Sequence, residues 1–439
     1  MKTVLISTYD LGRQPFGLAS PGAWLRNRDH QVTYADLAVG TLPVLEVREA
    51  DLIAFHLPMH TATRLAGPVL QRVRQLNPRA HICCYGLYAP LNEEHLRSLG
   101  AQSIIGGEFE EALARLADDL QPVAKTSLDR LQFVVPDRVR LPVLSRYPKL
   151  VTASGRKRVG YTEASRGCKH LCRHCPVVPI YHGSFRIVQQ DIVLADIRRQ
   201  VESGAEHITF GDPDFLNGPT HARRIIERLH EEFPAITYDI TVKIEHLLAC
   251  RDMLTLFRDT GCIFVTSAVE AVQDDILKIL DKGHTRADFI EVAELFRTQG
   301  LTLAPTFIPF TPWTSVAGFR ELLDTIAALG LAENVAPVQW GLRLLITSGS
   351  RLLELRDVQN LIQDIDARAL TYPWRHANPE VDALSERVSA IVRAGVTARK
   401  TRSEIFYEVW EAAYDRSVPE DYRLLPRTVI PFLEEPWFC

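Results

Sequence analysis

The stretch Ser165-Arg-Gly-Cys168-Lys-His-Leu-Cys172-Arg-His-Cys175-Pro176 places three cysteines at spacings of four and three residues. Three thiols this close on one loop can converge on a single metal ion or on one metal cluster. Because the loop supplies only three sulfur ligands, an iron–sulfur cubane held here keeps its fourth iron open. An open coordination position is typical of a catalytic centre, whereas a structural metal site is closed.

Two histidines inside this loop keep a second interpretation open. His170 or His174 could complete a tetrahedral zinc site with the three thiols. A zinc or cluster site of the structural kind would stabilise a binding or regulatory module that catalyses no reaction. Both histidines could equally be solvated loop residues.

The composition limits the class of protein. The length of 439 residues predicts two or three domains, and 46% hydrophobic with 24% charged residues is typical of a soluble globular chain. A formal net charge of −4 argues against an overall polycation that binds nucleic acid. The chain has no 18-residue apolar run, and its start is too soon polar for a signal peptide. Eight cysteines fit the cytosol as thiols or metal ligands, so we predict a cytoplasmic protein without a membrane or nucleic-acid partner.

Residues 1–122 alternate between strand-like and helix-like segments. Short apolar runs bounded by turns are typical of buried parallel strands, and the segments between them have helical spacing. This alternation predicts a doubly wound, Rossmann-like α/β domain whose ligand surface lies at the carboxyl ends of its strands. The predicted strands are 2–8, 30–34, 51–55, 80–85 and 101–107, and the clearest helices are 61–76 and 108–120.

The rest of the chain divides into three parts. Residues 123–158 contain several prolines and basic residues and are predicted to be a linker. Residues 159–351 form a second βα series, which indicates a partial (β/α)6 barrel. Residues 352–439 are predicted to be mainly helical and to end in a tail that closes with a cysteine. The strand candidates of the second series are 208–210, 237–242, 263–266, 303–307 and 339–345.

The Cys-x3-Cys-x2-Cys spacing after the first strand of a βα series resembles the radical SAM superfamily. The resemblance implies that Cys168, Cys172 and Cys175 hold a [4Fe–4S] cluster, whose open iron chelates the amino and carboxylate groups of S-adenosylmethionine (SAM). It also implies an external one-electron reductant of the flavodoxin or ferredoxin type. One-electron reduction then cleaves the sulfonium C–S bond of SAM and releases a 5′-deoxyadenosyl radical.

Three downstream motifs resemble the SAM-binding strands of this superfamily. Phe210-Gly-Asp-Pro-Asp-Phe215 is similar to the region that receives the SAM ammonium, which implies roles for Gly211, Asp212 and Asp214. Val269-Glu270-Ala271 resembles the strand whose glutamate accepts the ribose hydroxyls. The run from Asp275 to Lys282-Gly-His-Thr285, which follows it, resembles the end of the family's next helix.

Two basic residues are candidates for binding a carboxylate. Lys243, on the third strand of the series, lies where a cation could meet the SAM carboxylate, although a lysine there can also be an ordinary snorkelling residue. Arg343, in Trp340-Gly-Leu-Arg343, belongs to a segment that resembles the sixth strand of the barrel.

An α/β domain directly before such a barrel resembles the cobalamin-binding class of the superfamily. Gly106-Gly-Glu108 is similar to the end of that domain. The Asp-x-His-x-x-Gly signature that supplies a lower cobalt ligand is absent, because Asp10-Leu-Gly-Arg-Gln-Pro-Phe-Gly17 follows the first strand. Cobalamin would therefore bind without that histidine, or the domain has kept only the fold.

The chain as a whole is similar to radical SAM (seleno)proteins that end in Cys-Cys-Ala-Glu-Pro or Cys-selenocysteine-Ala-Glu-Pro. The ending Pro436-Trp-Phe-Cys439 matches only the first cysteine of that motif, so the native chain is expected to continue. An exposed terminal thiol is soft and nucleophilic, which makes Cys439 a candidate catalytic residue. The expected reaction modifies a small molecule by methyl transfer or another SAM-derived group transfer. An alternative is aminocarboxypropyl transfer to a soft atom such as arsenic held by the tail thiol.

Overall fold

The N-terminal domain is built on a six-stranded sheet. A computed structural model of the chain describes residues 1–419 and 430–434. All six strands of this sheet are parallel, in the order β2-β1-β3-β4-β5-β6. The strands are β1 (Lys2–Ser7), β2 (Gln31–Asp36), β3 (Leu52–His56), β4 (His81–Tyr85), β5 (Ser103–Gly107) and β6 (Thr126–Ser127). The helices between them are α1 (Phe16–Arg26), α2 (Val44–Glu49), α3 (His60–Leu76), α4 (Glu93–Ser98) and α5 (Phe109–Asp119).

Helices cover both faces of this sheet because its strands are apolar on both faces. All five residues of β3 are buried. Ile53 and Phe55 belong to one apolar core, and Leu52 and Ala54 belong to a second core on the opposite face. A continuous apolar strand between two cores is typical of parallel sheets. The doubly wound architecture predicted from the sequence is confirmed.

The second domain is a curled sheet of seven strands in the order β14-β13-β12-β11-β8-β7-β15. Five consecutive strands, from β14 at one edge to β8, are parallel, and β7 and β15 add antiparallel pairs at the other edge. This half-barrel confirms the predicted fold class. The strands are β7 (Lys149–Thr152), β8 (Gly155–Thr162), β11 (His207–Phe210), β12 (Thr237–Thr241), β13 (Cys262–Glu270), β14 (Leu303–Phe307) and β15 (Phe432–Leu433).

Helices pack on the outside of the half-barrel and continue into the C-terminal region. Those of the βα series are α7 (Gln190–Glu202), α8 (Pro219–Glu232), α9 (Ile244–Ala249), α10 (Asp252–Asp259), α11 (Asp274–Ile279), α12 (Arg286–Gln299) and α13 (Val316–Ala328). Those of the C-terminal region are α14 (Arg356–Leu361), α15 (Pro379–Thr397) and α16 (Arg402–Tyr414). Among the described residues, no helix is both long and apolar enough to span a membrane.

The cysteine loop connects a separate two-stranded ribbon. Strands β9 (Ser165–Gly167) and β10 (Phe185–Ile187) pair antiparallel directly after β8, and the short helix α6 (Val178–Tyr181) lies between them. All three cysteines lie between β9 and α6. The loop is therefore anchored at both ends, at the carboxyl edge of the half-barrel.

Two local predictions differ from the structure. The predicted strand at 339–345 is a 3₁₀ turn, Pro337–Gly341, followed by an extended segment with a single bridge between Phe310 and Arg343. The predicted linker 123–158 contributes β6 to the first sheet and β7 to the second. In both places the pairing depends on distant strands, which the local sequence pattern does not record.

Candidate active site

The three thiols of the loop lie in a mostly buried setting. Cys168 and Cys172 are buried and Cys175 is half-buried. The Cys168 amide donates to the Ser184 carbonyl at 3.0 Å, and the Cys175 amide donates to the Cys172 carbonyl at 3.2 Å. Burial raises the pKa of the Cys175 thiol to about 12 and also raises that of Cys168. Both thiols therefore stay protonated until a metal replaces the proton.

The positions of the potential ligand atoms do not favour the single zinc ion. Within the described ranges, one group of three such residues has all its ligand atoms within 4.8 Å of one another, namely Cys168, His170 and Asp214. One tetrahedral zinc would hold all its sulfur ligands roughly 4 Å apart, given Zn–S bonds near 2.3 Å. In a cubane each thiol binds a different iron, so the thiols need not converge. The arrangement fits a cluster better.

The two loop histidines have different surroundings. His170 Nε2 lies 3.3 Å from His246 Nε2, and His246 Nδ1 lies 2.7 Å from Asp214 Oδ2. His174 Nε2 instead lies 3.1 Å from Glu270 Oε1. The two imidazoles therefore belong to separate polar groups on either side of the loop.

Asp212 and Gly211 contact the segment that leads into the cysteine loop. The Asp212 carboxylate accepts the Ala164 amide at 3.0 Å and the Ser165 hydroxyl at 2.5 Å. Burial raises the pKa of Asp212 to about 7. A Cβ atom on Gly211 would lie 1.8 Å from the Tyr161 hydroxyl, so another residue fits there only if the Tyr161 ring moves. Both residues line the large cavity described below.

Asp214 is completely buried beside the loop. Its Oδ1 accepts the Leu216 amide at 3.1 Å, which caps a 3₁₀ turn. Its second oxygen faces His246. One oxygen of Asp214 thus stabilises the turn, and the other is directed toward His246, which in turn lies next to His170.

Glu270 ends β13 in an unusual backbone conformation. Its φ is +69°, and the pairing of β13 with β14 slips by one residue between Ala268 and Glu270. A bulge of this kind re-aims a side chain at the end of a strand. The carboxylate contacts Lys282 Nζ at 3.2 Å as well as His174. Burial alone would raise the pKa of Glu270, but Lys282 and His174 outweigh it and lower this pKa to about 2.

The two basic candidates differ in their surroundings. Lys243 is buried at the start of α9, 3.4 Å from Glu245, and its charge opposes the pKa rise that burial causes at Cys168. Arg343 donates to Asp382 at 2.7 Å, and its guanidinium lies 4.0 Å from the centre of the Trp374 ring. The structure thus brings Lys243 close to the cysteine loop and ties Arg343 to the C-terminal region.

One large cavity joins the two domains. It has a volume of about 1730 Å³. Its wall includes residues after β1, β3 and β4 of the first sheet, the β9 strand, and inward-facing positions of the half-barrel. Among the residues that line it are Asp10, Leu11, His56, Met59, Leu87, Arg166, Gly211, Asp212, Thr241, Thr266 and Thr306. The ligand edge expected for the first domain therefore opens into the half-barrel.

Sequence reasoning assigned no role to three residues at this site. Lys282 is buried and holds Glu270, and it is the lysine of the quoted Lys-Gly-His-Thr motif. His246 contacts both His170 and Asp214, and it lies within α9 in a segment that matches no motif. Arg166 precedes the first cysteine by two residues and binds acids of the other domain, which only the fold reveals. Cys439 lies outside the described residues.

The family comparison agrees with these observations. Residues 162–326 match the model of the Radical SAM superfamily. Together with the cysteine loop and the half-barrel, the match defines the class: the chain contains a radical SAM domain, an enzyme domain whose cofactors are a [4Fe–4S] cluster and SAM.

Two curated relatives have related sequences. The hopanoid C-3 methylase of Methylococcus capsulatus is 26% identical over 151 residues, which is 34% of this chain and 29% of the methylase. The tRNA-2-methylthio-N(6)-dimethylallyladenosine synthase of Moorella thermoacetica is 23% identical over 345 residues, 72% of this chain and 73% of the synthase. The match to the methylase thus covers less than a third of its length.

Two solved structures have a related fold. The cobalamin-dependent SAM radical enzyme OxsB, with aqua-cobalamin and SAM bound, has a TM-score of 0.67 at 14% identity over 90% of this chain and 67% of its own. The methyltransferase TsrM from Kitasatospora setae, with cobalamin and a [4Fe–4S] cluster bound, has a TM-score of 0.58 at 14% identity over 75% and 70%. At these identities the likeness concerns the fold alone.

Proposed function

We propose that this radical SAM enzyme transfers a methyl group to a small-molecule substrate with the help of cobalamin. The observation that carries the proposal is the single cavity whose wall belongs both to the carboxyl edge of the N-terminal sheet and to the half-barrel next to the cysteine loop. The lining residues include Gly211 and Asp212 but neither the three thiols nor Glu270, so a corrinoid on the first domain would lie beside the SAM site.

Cys168, Cys172 and Cys175 would hold the cluster. When bound, the cluster supplies the electron that opens a C–S bond of SAM. The protein's own contribution is burial, which keeps water from the thiols, and the nearby charges of Lys243 and Lys282. Cations beside a cluster of negative net charge favour its binding.

Glu270 would accept the ribose hydroxyls of SAM. It stays ionised at neutral pH because Lys282 and His174 lower its pKa, and an ionised carboxylate is the stronger acceptor. Gly211 leaves room for backbone approach at the end of β11, and Lys243 would meet the SAM carboxylate. Asp214 would add negative charge toward the SAM ammonium. Asp212 would do so only in part, because burial raises its pKa to about 7. Arg343 would bind a carboxylate of the substrate only if that carboxylate displaced Asp382.

Two features of the first domain support cobalamin. The cavity of about 1730 Å³ exceeds the roughly 300–1,000 Å³ of common small-ligand pockets. It opens at β1 and β3, where the strand order β2-β1-β3 reverses direction, and open α/β sheets bind ligands at such a point. OxsB and TsrM, which resemble the chain in fold, are described with cobalamin bound.

Product analysis tests the proposal. Full-length protein is reconstituted without oxygen with iron, sulfide and hydroxocobalamin, then reduced with dithionite in the presence of SAM. About four iron and four sulfide per chain are expected, with 5′-deoxyadenosine and S-adenosylhomocysteine among the SAM products. One zinc without labile sulfide would support the binding-module alternative, and protein that yields no SAM fragment would refute the enzyme.

Aminocarboxypropyl transfer with the tail thiol is the second candidate. The segment Pro431–Glu434 lines the same cavity, and β15 within it pairs with β7, so residue 439 follows only five positions after a cavity-lining residue. Methylthioadenosine as the main SAM product, lost in Cys439→Ser, would favour this reaction. Unchanged products in Cys439→Ser would exclude a role for the thiol.

A further inference from the structure

Asp10 is a buried carboxylate that lacks a partner. It follows β1, is 8% exposed and lines the large cavity. Within residues 1–419 and 430–434 no group donates a hydrogen bond to its carboxylate or forms an ion pair with it. Burial raises the pKa of Asp10 to about 7, which agrees with the missing donor.

Two arginines near Asp10 lower its pKa without forming an ion pair with it, whereas Glu163 and Asp36 raise it. Arg138 forms a two-pronged pair with Asp196 at 2.6 and 2.9 Å. The Arg13 guanidinium lies over the Tyr161 ring, 5.2 Å from its centre. Neither arginine is positioned to neutralise the carboxylate of Asp10, although both lie close enough to attract its charge.

Other buried carboxylates near the cavity are satisfied. Asp212 accepts two hydrogen bonds, and Glu110 accepts both prongs of Arg166 at 2.6 and 2.8 Å. Burying a carboxylate that accepts no hydrogen bond is unfavourable, so a carboxylate of this kind in a folded protein usually has a functional role. The oxygens of Asp10 are not among the fully enclosed unpartnered atoms, so they face the cavity, where a ligand can supply the donor.

The backbone beside Asp10 opens the space in front of it. Leu11 has a φ of +48° and Gly12 a φ of +67°, so the chain turns through two left-handed residues in succession. Leu11 lines the cavity, and the left-handed conformation of such a residue is strained. Gly12 occupies the histidine position of the Asp-x-His-x-x-Gly signature and leaves no side chain there.

We propose that Asp10 is a cobalamin-binding residue that accepts a hydrogen bond from a donor of the corrinoid, whose peripheral side chains end in primary amides. The inference rests on the proposed function, because it assumes a corrinoid at the carboxyl edge of the N-terminal sheet. At that edge, Asp10 would contact the corrinoid where the Asp-x-His-x-x-Gly signature has a histidine. The carboxylate binds the cofactor without an imidazole between them.

Hydroxocobalamin binding tests this role. The cobalamin-free, cluster-reconstituted full chain is titrated anaerobically with hydroxocobalamin, and absorbance gives the Kd for wild type, Asp10→Leu and Asp10→Asn. We expect the Kd to rise at least about tenfold in Asp10→Leu, because a charge-assisted hydrogen bond is lost. Asp10→Asn, whose amide oxygen can still accept, should lose only a few-fold.

Asp36→Leu is the matched control. Asp36 ends the neighbouring strand β2 and is equally buried, but it accepts the Tyr147 hydroxyl at 2.6 Å and does not line the cavity. Its loss should lower the unfolding temperature of the cobalamin-free protein and leave the Kd for hydroxocobalamin unchanged. Asp10→Leu should have the opposite effects: an unfolding temperature equal to or above that of wild type, and weaker binding.

The outcomes separate the inference from the proposed function. Wild-type protein that binds no hydroxocobalamin refutes the cobalamin part of the proposed function and with it the role of Asp10. Wild-type binding with an undiminished affinity in Asp10→Leu refutes only the role of Asp10. A lower unfolding temperature in both Asp10 variants would show that the carboxylate stabilises the empty fold, which also overturns the inference.

Discussion

Each cysteine of the loop is individually required if the three together hold a cluster. Cys172→Ala removes one of three sulfur ligands, so we expect reconstituted protein to lose the brown colour and most of its iron and sulfide. Cys250→Ala is the control, because Cys250 is a half-buried thiol outside the loop. Absorbance near 400 nm and iron analysis measure the result. An intact four-iron cluster in Cys172→Ala would contradict the ligand assignment.

The negative charge of Glu270 is expected to contribute to SAM binding. Glu270→Gln keeps the shape of the side chain but removes the charge that would hold the ribose, so SAM should bind about tenfold more weakly. Equilibrium dialysis with cluster-loaded protein measures this affinity. Glu206→Gln, an exposed glutamate paired with Arg158, is the control.

The lowered pKa of Glu270 leads to a prediction about how SAM affinity depends on pH. Because Lys282 and His174 lower the pKa of Glu270 to about 2, this group stays ionised throughout the range from pH 5 to 8. SAM affinity should therefore show no titration of Glu270 in that range. A loss of affinity with a midpoint near pH 4.5 would mean that the carboxylate titrates as if it were solvated.

At the scale of the elements, the sequence predicted those strands and helices whose position depends on the local pattern of apolar residues. The strands of both domains were recognisable because they are short apolar runs between turns, and Ser103–Gly107 and Leu303–Phe307 lie where they were expected. The extended segment around Arg343 was mistaken for a full strand because only its pairing with Phe310 decides its state. The bulge that re-aims Glu270 depends on the register between β13 and β14, which no residue near it encodes.

The residues of the candidate site also fall into two groups, those that the sequence predicted and those that only the fold reveals. The three cysteines, Glu270 and the Gly211–Asp214 turn were identifiable because each belongs to a motif with fixed spacing. The contact between His246 and Asp214 and the pairing of Arg166 with Glu110 join residues that lie 32 and 56 positions apart. Such contacts follow from packing, so a single sequence without its fold does not reveal them.

The end of β3 gives the protein a sensitivity to acid. His56 is buried with its ring centre 5.3 Å from that of Tyr85 and 5.9 Å from that of Phe109. Burial, reinforced by the charge of Arg166, lowers the pKa of His56 to about 3. In the unfolded chain the ring takes up a proton below about pH 6.5. The stability from keeping it neutral is therefore complete above pH 6.5 and is lost as the pH falls toward 3.

Replacing His56 should flatten this dependence. Between pH 6.5 and 5 the loss attributable to His56 is about 2 kcal/mol, at about 1.4 kcal/mol per pH unit. Urea unfolding of His56→Gln at pH 7 and pH 5 should show a stability difference smaller by about that amount than in wild type. His376→Gln, at a partly exposed histidine, serves as the control. Equal pH dependence in His56→Gln and wild type would rule out the neutral buried ring as the cause.

At the scale of the whole molecule, the two domains share a buried polar network next to the cysteine loop. Arg166, on β9, donates both prongs of its guanidinium to Glu110 of the first domain and its Nε to Glu163 at 2.6 Å. Tyr181, on α6, donates to Glu108 at 2.9 Å. The cavity wall is continuous across the domains because these contacts fix the cysteine ribbon against the N-terminal sheet.

This network should make the two domains unfold together. Arg166→Met leaves the buried carboxylates of Glu108, Glu110 and Glu163 without their cation, which is expected to cost about 3–5 kcal/mol. Scanning calorimetry should show one transition for wild type. For Arg166→Met it should show a lower unfolding temperature and two transitions, because the domains lose a buried ionic contact that joins them. Adding Glu110→Gln removes one of the unpaired charges and should recover part of the loss. A double variant no more stable than Arg166→Met would mean that the arginine stabilises the ribbon by packing against Phe109 and not by pairing across the interface.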